Sequence, residues 1–245
     1  MNRSLDKKWN DKVQISFVVL FPILLTVLLF LDSKYFAEHF FDGRIFATII
    51  TPIWVAALFY FADSSLRSVI IAMLPLSYLG ELISSPWLEL YFYRGEKIPF
   101  YIPFGHAVVF ATCMMLANLP KVQENSESII KIIRPLLIVS ILAAGYFLQD
   151  HFTLFFGLLL VLILQLRGWS HFYMLMAVIV FLIEITGTAF QCWTWQPESP
   201  YLFKTVNPPL GAIYIYVVGD IVVQWCAGLF WKKDYSSKEL ENSRE

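Results

Sequence analysis

"GELISSPWLELYFYRGEKIPFYIPFGH", residues 80–106, sets Glu81, Glu89 and His106 inside some of the most apolar sequence of the chain. A charged side chain at mid-span costs about 2.5–3.5 kcal/mol on insertion scales, so such a group marks either a packing contact or a cavity. What surrounds the stretch decides the fold. Of 245 residues 58% are hydrophobic and 15% charged, against a charged share of roughly 25% in soluble domains. The chain reads as an all-α, polytopic membrane helical bundle.

Spanning a bilayer takes about 20 apolar residues, with roughly 17–25 tolerated. Eight runs qualify, at 14–31, 45–62, 67–88, 102–119, 134–150, 152–166, 171–190 and 209–231. The fifth and sixth are divided only by Asp150 and His151, read as a tight hairpin because the joined run is too long for one span. Lys7, Lys8 and Lys12 resemble the n-region of a signal peptide, but "FLDSKYFA" offers no A-x-A-type cleavage site, so the first run reads as a retained span. With both termini in the cytoplasm, 13 of the 18 Lys+Arg fall on the inner side, as the positive-inside rule requires. The expected location is the bacterial inner membrane, with a polar cytoplasmic tail at 233–245.

The segment 121–133 is the one plausible linker, and it leaves four spans on each side, 1–120 and 134–232. Glu81 precedes Tyr91 and Tyr93 by 10 and 12 residues and Pro103 by 22; Glu184 precedes Trp193 and Trp195 by 9 and 11 and Pro209 by 25. That parallel suggests two tandem four-helix repeats of the same orientation, related by an axis along the membrane normal.

Placed in that frame, Glu81 and Glu184 are carboxylates at similar depth in the outer half of the membrane. Desolvation and mutual repulsion both favour a neutral acid near pH 7, and His106 is the candidate partner or base. Tyr91, Tyr93, Trp193 and Trp195 are either an interfacial aromatic belt or the mouth of an apolar cavity, above which prolines stiffen re-entrant segments. Asn207 is a polar anchor or a helix N-cap. Tyr214 and Asp220 of the last span are further candidates for substrate contact, and Asp220 shares a polar stripe with Tyr216 and Gln224.

A net charge of −1 provides no global field for nucleic acid. The cysteines, Cys113, Cys192 and Cys226, lack C-x-x-C spacing, and no phosphate-binding or metal motif stands in the sequence. No cofactor or metal is expected; the expected partners are membrane lipids.

The order of Glu, then Tyr-x-Tyr or Trp-x-Trp, then Pro at the start of the next span resembles the integral-membrane carotenoid hydratase family and, more distantly, the small membrane lycopene cyclases. The similarity covers Glu81–His106 and Glu184–Tyr214. Leu90-Tyr-Phe-Tyr93 stands in place of a Gly-x-Tyr-x-Tyr segment and His106 in place of a tryptophan, and the paired Pro-x-Glu-Glu of the cyclases is absent. The resemblance implies acid catalysis on a terminal isoprene double bond. A lipid- or isoprenoid-modifying enzyme, a small proton-coupled transporter and a membrane scaffold or assembly protein therefore stand as the three readings.

Overall fold

Apolar length and capping chemistry set the helices of the chain, which a computed structural model describes over residues 11–231. They are α1 (Asp11–Leu31), α2 (Lys34–His39), α3 (Arg44–Phe61), α4 (Ser64–Leu82, prolonged by a π-helical turn at Ile83–Trp87), α5 (Ile102–Asn118), α6 (Pro120–Glu124), α7 (Ser126–Phe147), α8 (His151–Arg167), α9 (His171–Ala189) and α10 (Ala212–Trp231). Four of them begin on a capping side chain, with Ser33, Asp63, Asp150 and Ser170 accepting the backbone N–H of Phe36, Leu66, Thr153 and Tyr173. Each cap satisfies a donor that the first turn leaves free.

Six helices, α1, α3, α4, α7, α9 and α10, are long and apolar enough to cross a membrane, while α5 and α8 are shorter apolar helices. Half of the apolar window of α9 is buried, against 17% for α1 and for α7, so α9 is a core helix and the other two face outward. On α7 the outward stripe is Ile132, Leu136 and Val139, each at least 60% exposed. A soluble protein does not leave such a stripe bare; a bilayer covers it. At the centre, α5 packs against α1, α3, α4 and α9 and buries Phe110, Ala111, Cys113 and Met115, while α10 packs against α4, α8 and α9.

The segment 121–133 is mainly helical, as α6 and the first two turns of α7. Hydropathy ends the apolar run at Arg134, but Glu127 and Lys131, exposed at i and i+4 with a 3.5 Å ion pair, continue the helix beyond it. The basic residues before position 11 and after 231, and the tail 233–245, lie outside the described residues.

The loops around 32–43, 88–101, 148–150 and 190–211 gather at one end of the bundle. There the Lys34 N–H bonds the Phe190 carbonyl at 3.1 Å, and the Arg94 N–H bonds that of Cys192 at 2.9 Å. Fully buried Asp32 accepts Arg44 Nε (2.8 Å) and Arg94 Nη2 (2.9 Å) on Oδ1 and the Tyr101 hydroxyl (2.6 Å) on Oδ2. Asp150, also fully buried, accepts the Thr153 hydroxyl at 2.5 Å, and that hydroxyl accepts the Gly211 N–H at 2.9 Å. The C-terminal end of α1 is thus tied to the start of α5, and that of α7 to the approach of α10.

Two three-residue strands, β1 (Tyr91–Tyr93) and β2 (Trp193–Trp195), pair antiparallel at this end, with Tyr91 opposite Trp195 and Tyr93 opposite Trp193. A smaller hairpin joins β3 (Glu198–Ser199) to β4 (Phe203–Lys204). Short strands thus follow α4, after its π-helical turn, and α9.

Candidate functional site

The β1–β2 ribbon has a period of two, so Tyr91, Tyr93, Trp193 and Trp195 all point inward and are buried, while Phe92 and Thr194 point out. Each strand aims its two polar-tipped rings at the glutamate of the helix before it. Tyr91 and Tyr93 donate to Oε2 of Glu81 at 2.9 and 2.7 Å. Trp193 and Trp195 donate to Oε2 of Glu184 at 3.0 and 2.9 Å. On the other oxygens, His106 Nε2 lies 2.9 Å from Glu81 Oε1, and the Tyr216 hydroxyl donates to Glu184 Oε1 at 3.3 Å. The His106 and Tyr216 rings then meet in a tilted contact, with centroids 5.0 Å apart.

Local chemistry explains why both chains turn back over their glutamates. After Glu81 the π-turn, closed by the Leu88 N–H on the Ile83 carbonyl at 2.8 Å, widens the helix end around Pro86, and the Leu90 N–H reaches the Ser84 carbonyl at 2.9 Å. After Glu184 the Cys192 N–H reaches the Gly187 carbonyl at 2.9 Å. Gly187 is required there because a Cβ would overlap the Trp193 indole.

The two carboxyl groups are not equivalent. An indole N–H only donates, so Glu184 Oε2 is held as an acceptor by two groups that have no other role. Around Glu81 the partners are phenols and an imidazole, which can both donate and accept. Burial first, then the charge of Glu81, pushes the Tyr91 and Tyr93 phenols well above the ordinary tyrosine value, so both keep their protons at neutral pH. At Oε1 the partner is the imidazole, whose donor or acceptor role depends on its tautomer.

Glu81, Glu184, His106, the four ribbon aromatics and Asp220 all line one cavity of about 380 Å³, within the range of small-molecule sites. Its wall is otherwise mainly apolar, with α1, α3, α4, α5 and α10 contributing, and it carries no lysine or arginine. Leu79, Ile83 and Val222 line it while remaining 52%, 36% and 44% exposed, so its mouth lies on the apolar flank of the bundle.

Two expected substrate contacts fall outside the cavity lining. Asn207 is the polar anchor and not an N-cap: its Oδ1 accepts the Trp195 N–H at 3.1 Å, which secures β2, whereas α10 begins only at Ala212. Tyr214 packs on Phe156 of α8, with centroids 5.2 Å apart; two residues on, Tyr216 faces the cavity instead. Tyr216 belonged to the polar stripe with Asp220, and that i, i+4 spacing was the available signal. Glu89 hydrogen-bonds Tyr201 in the loops and does not join the cluster. Trp54, in the cavity wall, had no sequence signal beyond an apolar run. Among the described residues no group of His, Cys, Asp and Glu could hold a metal ion.

No family model matches the chain, and neither a curated protein nor a solved structure does.

Proposed function

We propose that the protein is a multi-pass membrane enzyme that moves a proton to and from an isoprenoid or similar apolar lipid entering from the bilayer. The observation that carries this reading is the cavity itself, which opens on the apolar flank and holds the Glu81–His106 hydrogen bond in its wall. That lateral mouth favours an enzyme over a proton-coupled carrier, and a hollow centre favours it over a scaffold.

In this reading Glu81, with His106, delivers the proton to one carbon of a substrate double bond. The π pair becomes the new C–H bond and leaves a cation on the neighbouring carbon. Glu184, fixed as an acceptor by two indoles, and the ribbon's aromatic faces stabilise that cation. Loss of an adjacent proton to the Glu81 carboxylate gives the isomerised alkene; capture by water gives the alcohol and returns a proton to the same group. Tyr91 and Tyr93 keep Glu81 Oε2 engaged, so that Oε1 handles the proton.

The chain is read further as eight spans in two tandem four-helix units, 1–120 and 134–232, with both termini in the cytoplasm of a bacterium. Supporting the eight are α5 and α8, 17 residues each, or roughly 26 Å, close to the thickness of a bilayer core. Supporting the duplication are the equivalent neighbours: α4 packs on α5 as α9 does on α10, and α4 on α10 as α9 does on α5, with one ribbon strand from each half.

Mass spectrometry of lipids retained by gently purified protein tests the function. An isoprenoid should accompany the wild type, and Glu81→Gln should retain it while slowing its conversion about 10²–10⁴-fold, the usual worth of general acid–base catalysis. Only bulk phospholipid in both proteins would overturn the reading.

A further inference from the structure

Nothing among the described residues satisfies two of the polar atoms in the cavity wall. Asp220 is 6% exposed with its Oδ2 buried and without a hydrogen-bond partner, and Trp54 Nε1 is likewise buried and unpartnered. Both residues line the cavity, whereas Gln14 and Thr112, which also hold unpartnered buried atoms, do not. A buried polar atom left unanswered costs far more than one with a partner, so a donor beside Asp220 and an acceptor beside Trp54 are what this region of the cavity is built to receive.

Both line the same cavity at a similar depth. Trp54 is 10 residues into α3 and Asp220 is 8 into α10, both counted from the ribbon end, or roughly 15 and 12 Å down. His106 is only 4 residues into α5, roughly 6 Å down. The unanswered atoms lie below the Glu81–His106 pair, towards the middle of the membrane.

The chemistry of the pair selects the group it takes. A carbonyl accepts only, so it answers Asp220 in its protonated form alone, whereas a hydroxyl answers either form; an ammonium donates only and leaves Trp54 unanswered. A carboxylate or phosphate ester would meet the Asp220 carboxyl with no lysine or arginine in the wall to balance it. A hydroxyl donates and accepts with one atom and carries no charge. Resting on the reading of the cavity as a lipid site, we infer that its ligand is an isoprenoid alcohol or hydroxylated polyene rather than a hydrocarbon, with the hydroxyl held by Asp220 and Trp54 and the reacting double bond nearer the ribbon.

The test is competition against a bound fluorescent polyene in nanodiscs, using all-trans geranylgeraniol and its deoxygenated hydrocarbon. The wild type should bind the alcohol about tenfold or more tightly than the hydrocarbon, the worth of one to two buried hydrogen bonds. Asp220→Leu and Trp54→Phe should bring that ratio close to one. Equal binding of the two probes to the wild type overturns the hydroxyl assignment and leaves the lipid site standing. Binding of neither overturns both. A wild-type preference that survives in Trp54→Phe, or in Asp220→Leu where that variant folds, also overturns the assignment, since the hydroxyl then sits elsewhere.

Discussion

Glu81 on α4 and Glu184 on α9 sit beneath paired strands of one ribbon, and each takes two ring donors on one oxygen. The difference lies in the rings. A phenol or imidazole can both donate and accept, whereas an indole N–H only donates. The same backbone device therefore surrounds Glu81 with two phenols and an imidazole, and Glu184 with two indoles and the Tyr216 phenol. The larger rings also change the packing beneath them: the residue three after Glu184 is Gly187, with no room for a Cβ under Trp193, while three after Glu81 stands Ser84.

That contrast is most exposed to Glu184→Leu. Removing the carboxylate strands two indole N–H groups that have no alternative, at about 1–3 kcal/mol each, so the variant should lose about 2–6 kcal/mol in denaturant titration. Glu81→Leu should lose less, because the Tyr91 and Tyr93 hydroxyls can turn to each other or to water. Equal losses would break the distinction between donor-only and exchangeable partners. Next in size is Gly187→Ala, expected to cost about 1–3 kcal/mol by overpacking against Trp193, whereas Ser84→Ala, whose hydroxyl makes no hydrogen bond, should stay within about 0.5 kcal/mol. Tyr91→Phe and Tyr93→Phe should each cost about 1 kcal/mol, since Glu81 keeps its remaining donors.

The smallest effect concerns pH at the loop end. Burial alone would raise the Asp42 carboxyl, but the Arg94 hydrogen bond, the Arg44 N–H and both arginine charges outweigh it and hold it below the ordinary aspartate value. Its contribution is complete above the unfolded aspartate pKa, about 3.9, and is lost as pH falls through the lower folded value. Burial dominates at Asp150 and raises its carboxyl despite the Thr153 hydrogen bonds, so acidification through that higher value favours the folded state. Hydrogen exchange, corrected for intrinsic rate, should show amides around Arg94 loosening with acid while those around Thr153 do not.

Much of this was legible in the sequence, and the gaps have physical causes. The apolar runs announced the helices because a bilayer demands uninterrupted apolar length. Glu81, Glu184 and the four ring residues could be picked out because a carboxylate in such a run is costly and the spacing to the rings recurs. The ribbon could not: three-residue strands are too short for alternation to show, and Tyr-x-Tyr reads as well for an interfacial belt. Tyr214 was preferred to Tyr216 because depth along α10 is legible while its rotation against α8 and α9 depends on packing. The start of α7 escaped because exposed ion-paired turns look like a linker to a hydropathy count. The Asp32, Arg44 and Arg94 cluster joins residues up to 62 positions apart that no local pattern links.

Infrared spectroscopy of the carboxylic C=O band across pH, comparing wild type with Glu81→Gln and Glu184→Gln, asks most directly where the proton resides. A band that titrates together with the His106 imidazole, vanishes in Glu81→Gln and persists in Glu184→Gln is the predicted result. A band lost in Glu184→Gln but kept in Glu81→Gln would place the proton under the two indoles and contradict the division of labour between the halves.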